Sequence, residues 1–108
     1  MRQWEIYLFP FEKEKPHPAV FICNDERCLN GDLDYVNALI CTKISREAKK
    51  NEVILNGADG LDWKTAVRSD VIYLLPKVEF KEHRGKVTPA RRLAIARKIA
   101  ETLRLQMS

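Results

Sequence analysis

Val71-Ile72-Tyr73-Leu74-Leu75, closed by Pro76, is the most strand-prone run of the chain, and Thr88-Pro89 soon afterwards opens a segment of different period. Thr88 suits a helix N-cap, and Pro89 suits the first helical position, where its missing N–H costs nothing. Ile95, Ile99 and Leu103 follow at intervals of four, with Leu93, Ala96 and Ala100 on the same arc. Arg97, Lys98, Glu101 and Arg104 take the other side. The spacing predicts an amphipathic helix over about 88–105. Arg92 falls inside the apolar arc, from which a first-turn arginine can reach out along its stem.

Upstream of residue 80 the pattern is that of strands. Trp4-Glu5-Ile6-Tyr7-Leu8-Phe9 partly alternates, and Ala19-Val20-Phe21-Ile22-Cys23 is a short continuous apolar run. Tyr35 to Cys41 reads as a strand ending near Thr42 to Arg46, and Glu52-Val53-Ile54-Leu55 as another. Phe11 to Pro18 is charged and twice interrupted by proline, so it reads as a loop, as does Asn24 to Asp34. Asn56-Gly57-Ala58-Asp59-Gly60 is turn chemistry. The expectation is a mainly β protein: a small, strongly bent barrel of five to seven strands over about 2–80, with a C-terminal helix. All 108 residues then form one domain.

Composition narrows the class. An apolar fraction of 45% with 31% charged residues is globular rather than collagen-like or disordered. No apolar run approaches the roughly 20 residues needed to span a bilayer, and the start lacks a signal peptide's apolar core. The expectation is a soluble cytoplasmic protein with no membrane partner. The net charge is +4, but residues 81–108 hold eight Lys/Arg against two Asp/Glu, so the basic excess lies in the last quarter. A localised cationic segment permits a nucleic-acid partner.

Three cysteines, Cys23, Cys28 and Cys41, would leave one thiol over in any disulfide framework. Cys23 and Cys41 lie in apolar segments, where a reduced cysteine packs as a small hydrophobe. The Cys23/Cys28 spacing is too wide for a usual zinc pair and no second pair follows, so neither metal nor other cofactor is expected.

Several stretches together resemble the PemK/MazF family of toxins from type II toxin–antitoxin systems. They are Trp4-Glu5-Ile6-Tyr7-Leu8, Pro16-His17-Pro18-Ala19-Val20-Phe21-Ile22-Cys23-Asn24-Asp25, and Ala38-Leu39-Ile40-Cys41-Thr42-Lys43-Ile44-Ser45. Further matches are Asp59-Gly60-Leu61-Asp62-Trp63, Val67-Arg68-Ser69-Asp70 and Arg84-Gly85-Lys86-Val87-Thr88, in an order that spans nearly the whole chain. The resemblance implies a barrel like that of SH3 domains, a homodimer with a groove, and a partner antitoxin with a DNA-binding start. It also implies metal-independent endoribonuclease activity on single-stranded RNA.

Metal-free cleavage uses the substrate's 2′-OH against the adjacent phosphate, and needs a base, an acid and cationic donors. His17, where the family usually has arginine, is the candidate base or acid, since an ordinary imidazole titrates at roughly 6.5. Ser45 aligns with the family's catalytic threonine, with Thr42 as competitor, and Arg46 could clamp the phosphate. Lys15, Arg68 and Asp70 are candidates for substrate binding, and Trp63 and Tyr73 for base stacking. The bland readings stand beside these. His17 and His83 can be exposed histidines, Thr42 and Ser45 strand-end caps, Arg68 a partner of Asp70 or Asp62, and Trp63 a plug beside Leu61. Where the family continues Gln-x-Arg after its late aspartate, this chain has Val71-Ile72-Tyr73. The alternative reading is therefore a non-catalytic module on the same barrel, binding RNA or a protein target such as gyrase.

Overall fold

The computed structural model describes residues 1–12 and 15–107. Seven strands form one curled sheet: β1 (Glu5–Glu12), β2 (Lys15–Phe21), β3 (Tyr35–Lys43), β4 (Glu52–Leu55), β5 (Thr65–Arg68), β6 (Tyr73–Pro76) and β7 (His83–Lys86). A short helix α1 (Asp25–Leu29) follows β2, and the terminal helix α2 covers Pro89–Leu103. The order is β4-β5-β3-β2-β1-β7, with β6 pairing β3, and every pair is antiparallel. The sheet is thus a half-barrel with a helix at the end of the chain, the mainly β architecture expected. It takes in one more strand beyond residue 80.

Several expectations are corrected. Phe11 to Pro18 is not a loop throughout. β1 runs to Glu12 and β2 begins at Lys15, so that Leu8 faces Pro18 and Phe9 faces His17. The expected loop residues Lys13 and Glu14 lie outside the described residues. Prolines two apart remove donors from only one edge of a strand. β3 pairs β2 only along Ala19–Phe21, so beyond Ala19 one edge of β2 has no ladder to lose. The Asn24–Asp34 loop contains α1, because the Asn24 side chain accepts from Arg27 N and starts a helical turn. β5 is a run not expected, and β6 begins two residues later than the apolar run Val71–Leu75.

Alternation along β2 and β3 buries the sheet on both faces. Val20, Leu39 and Cys41 join Ile6, Val67, Val87 and Ile95 in one apolar cluster. Ala19, Phe21, Val36 and Ala38 join Phe9, Cys23, Cys28, Leu75 and Phe80 in the other. The aromatic rings there are tightly nested, with Phe21 and Phe80 edge to face at 4.6 Å.

The helix is also read differently in place. Only Ile95 is buried on it, with Ala94 and Ile99 packed against the first cluster, whereas Leu93, Ala96, Ala100 and Leu103 face outward. The apolar residues therefore serve two faces rather than one arc. Arg92 is held by its own connection, donating from Nε to Val87 O at 2.6 Å. Thr88 makes no side-chain cap bond. Buried Asp59 anchors the helix start instead, accepting from Asn56 N and Thr88 N and pairing with the Arg91 side chain. One carboxylate thus ties the turn at 56–60 to the start of α2.

Candidate nucleic-acid site

The site begins where β2 and β3 part. The β2–β3 register pairs Val20 with Leu39 and Ala19 with Ile40, and the ladder ends there. Beyond it β3 pairs with β5, setting Cys41 against Val67, Thr42 against Ala66 and Lys43 against Thr65. Thr42 and Lys43 are consecutive strand residues and so project to opposite faces of this ribbon. Each faces a different hollow.

The hollow on the Lys43 side has a volume of about 320 Å³. Its chemistry comes from His17, Lys43, Asp62, Trp63, Thr65 and Arg84, and Leu8, Leu61 and the two prolines flanking His17 form its apolar wall. His17 is 26% exposed, lies 3.8 Å from the Glu12 carboxylate and meets the Phe11 ring edge to face. Lys43 Nζ sits 3.9 Å above the Trp63 ring, a cation–π contact that holds the ammonium at the rim. Thr65 is buried and donates its hydroxyl to Trp63 O at 2.8 Å, which fixes the turn carrying the indole. Arg84 pairs with Asp62 at 2.6 Å and reaches the hollow because Gly85 lets β7 run close against the turn at Asp59 and Gly60. A Cβ at Gly85 would collide with the Asp59 carbonyl.

Trp63 does not plug the barrel. It is 61% exposed, because Leu61 fills the core position and the indole two residues on is left outside with Lys43.

The hollow on the Thr42 side is about 250 Å³ and is lined by Thr42, Arg46, Lys49, Asn51, Glu52 and Arg68. Its guanidinium groups are already engaged. Arg46 donates to both oxygens of buried Glu52, at 2.8 and 3.0 Å, and Arg68 to both oxygens of Asp70, at 3.0 and 2.8 Å. The Arg46 fork, helped by Lys49 N, holds the Glu52 carboxyl at about 2, well below its ordinary 4.5. Arg68 likewise lowers Asp70.

The candidates therefore separate. His17 shares its hollow with Lys43, Trp63 and Arg84, and not with Thr42, Arg46 or Arg68. Continuing the β2–β3 register by two residues would set His17 opposite Thr42, but the strands have splayed before that point. Ser45 lies two residues past β3, exposed, and lines neither hollow. Lys15 is exposed opposite Glu12, and Tyr73 packs on Phe11 at 5.2 Å in the aromatic cluster. His83 is half exposed but engaged, 3.1 Å from Glu5 and edge-on to Tyr7.

Lys43 and Arg84 are the residues that the sequence reading did not single out. The alternation of β3 carried a signal for Lys43, since it falls on the face opposite Thr42. Nothing local marked Arg84, which arrives from a strand forty residues away. Among the described residues, no group of three or more His, Cys, Asp or Glu side chains is gathered as a metal ion requires, and no helix is long and apolar enough to cross a membrane.

A curled antiparallel half-barrel with a terminal helix is the fold of the MazF/PemK-type toxins. The solved structures that superpose on this chain are of that type. A mycobacterial endoribonuclease in complex with its cognate antitoxin matches with a TM-score of 0.83 at 24% identity, over 100% of this chain and 99% of that one. A second mycobacterial endoribonuclease matches with a TM-score of 0.79 at 25% identity, over 100% and 95%. The MazE-MazF structure from Deinococcus radiodurans gives a TM-score of 0.79 at 16% identity, over 98% and 97%. No protein-family model matches the sequence, and no curated protein matches it.

Proposed function

We propose that this protein is the toxin of a type II toxin–antitoxin pair, a homodimeric endoribonuclease that cleaves single-stranded RNA without a metal or other cofactor. The observation that carries the reading is the hollow at the parting of β2 and β3. It unites an imidazole, an ammonium, a guanidinium and an outward-facing indole in a fold shared with endoribonuclease structures.

In this reading His17 takes the proton from the ribose 2′-OH as that oxygen attacks the adjacent phosphorus. Lys43 sets positive charge beside the crowded phosphorane and donates to the departing 5′ oxygen. Trp63 gives a neighbouring base a face to stack on, at a contact that suits any base. Thr42 lines the hollow across the β3–β5 ribbon and Ser45 lines neither, so neither hydroxyl is assigned to the phosphate between His17 and Lys43. Arg46, Arg68 and Asp70 then act on substrate only indirectly, through the loop and strand ends that they fix. The outward apolar residues of α2, Leu93 and Leu103 among them, support association with a second copy.

The test is cleavage of a long unstructured RNA in EDTA by the parent chain and by His17→Gln. Cleavage by the parent, ending in a 2′,3′-cyclic phosphate and lost in the variant, is the expected result. RNA that is bound in a salt-dependent way yet stays intact with the parent would replace the nuclease by a binding module.

A further inference from the structure

Cys23 and Cys28 are brought together by the local fold, away from the proposed RNA site. β2 ends at Phe21, Asn24 caps α1, and the first helical turn swings Cys28 back over Cys23. Cys28 N donates to Asn24 O at 3.0 Å, and the Cys28 thiol lies 3.4 Å from the Cys23 carbonyl. The two sulfurs are in contact at 2.6 Å, and both side chains are buried in the cluster of Phe9, Phe21 and Phe80. Cys41 belongs to the opposite face of the sheet, packed with Leu39 and Val67 in the other cluster. The sheet itself therefore decides which thiol is left over when the three are counted.

We infer that Cys23 and Cys28 are a redox modification site, a thiol pair that a low-molecular-weight disulfide such as oxidised glutathione converts into an intramolecular disulfide pinning α1 onto the end of β2. The thiolate of one cysteine attacks a sulfur of the small disulfide, forming a mixed disulfide and releasing one small thiol. The second cysteine then attacks the protein-side sulfur, closes the Cys23–Cys28 bond and releases the second small thiol. Two protein thiols are oxidised, one small disulfide is reduced to two thiols, and the two protons leave on those thiols. Burial pushes the Cys28 thiol up to about 12 and also raises that of Cys41. Exchange therefore proceeds through opening of the five-residue helix rather than through the closed state, and it is slow.

The experiment uses the full chain, reduced and then incubated with oxidised glutathione. The oxidised product should be lighter by two hydrogen atoms, and the thiols titrated after denaturation should fall from the three free cysteines to one. Dithiothreitol should restore all three. Trypsin cuts after Arg27 and separates the two cysteines, and a second cut by chymotrypsin after Tyr35 separates Cys28 from Cys41. The linked peptides should carry residues 23 and 28. A Cys41→Ser variant should lose the same two hydrogens and keep no free thiol, whereas Cys28→Ser should stop at a glutathione adduct. Three persistent thiols, a stable glutathione adduct on the parent chain, or a link to Cys41 would overturn the inference.

Discussion

The two hollows on either side of the β3–β5 ribbon are both rich in cations, and they differ in what those cations already hold. On the Thr42 side, Arg46 and Arg68 are each committed to a carboxylate through both oxygens. A substrate phosphate there would have to displace a bidentate partner, and for Glu52 it would leave a buried charge without its counter-ion. On the Lys43 side, the ammonium is held by an aromatic face and Arg84 by an exposed carboxylate, Asp62. Those contacts orient the cations while leaving their donors available. A count of positive side chains would rank the two places as equals. Their partners make one a structural clamp and the other a candidate binding site.

The largest expected effect separates the hollows outright. His17→Gln should lower the cleavage rate by about 10²- to 10⁴-fold, the usual range for loss of a general base. A change within experimental error would move the chemistry away from the β2 side. Next in size, Lys43→Gln should cost about 10²-fold in kcat. Arg68→Gln, on the clamped side, should leave kcat within about threefold, as expected for removal of one exposed ion pair. The reverse ranking would assign the phosphate to the Thr42 hollow.

Trp63→Ala should weaken RNA binding by about 1–3 kcal/mol, one base's worth of stacking, with KM moved more than kcat. Titrations of a short oligonucleotide measure it. The smallest effect sharpens the structural side. Glu52→Gln should destabilise the fold by about 1–2 kcal/mol, with the exposed guanidinium of Arg46 screened by solvent. Because folding lowers the Glu52 carboxyl to about 2, its contribution is complete above its ordinary value of 4.5. That contribution is lost as pH falls towards 2. Denaturant midpoints of the parent and Glu52→Gln should therefore converge over that acid range.

Much of the fold was legible because its signals are local. Thr88-Pro89 marks the start of α2, Pro76 ends β6, and the apolar runs at 19–23 and 35–41 both hold strands, the first only as far as Phe21. Local signals misled where tertiary pairing overrode them. The prolines around His17 argue against a strand until one edge of β2 is found to be open. The helix's apolar residues look like one arc until Ile95, with Ala94 and Ile99, is seen against the core and Leu93, Ala96, Ala100 and Leu103 outside it. Trp63, read by hydrophobicity as a plug, is displaced to the rim by Leu61.

The candidate site was half legible. His17 stood out by its residue type and its flanking prolines, and Arg68 and Asp70 could be suspected of pairing because they are two apart on an extended chain. The partner of Arg46 was not recoverable, since nothing near Arg46 says that Glu52 will be buried beside it.

The order of residues by itself determined that this chain forms short strands followed by a helix that starts at Pro89, and which side chains can carry a proton or a charge. Periodicity and side-chain chemistry are properties of neighbours in sequence, and they survive any change of surroundings. Only the tertiary structure decided which of those charges are spent on one another and which stay open to a ligand. That depends on distances between segments remote along the chain: β7 bringing Arg84 to Asp62, and β2 parting from β3 so that His17 opens onto Lys43.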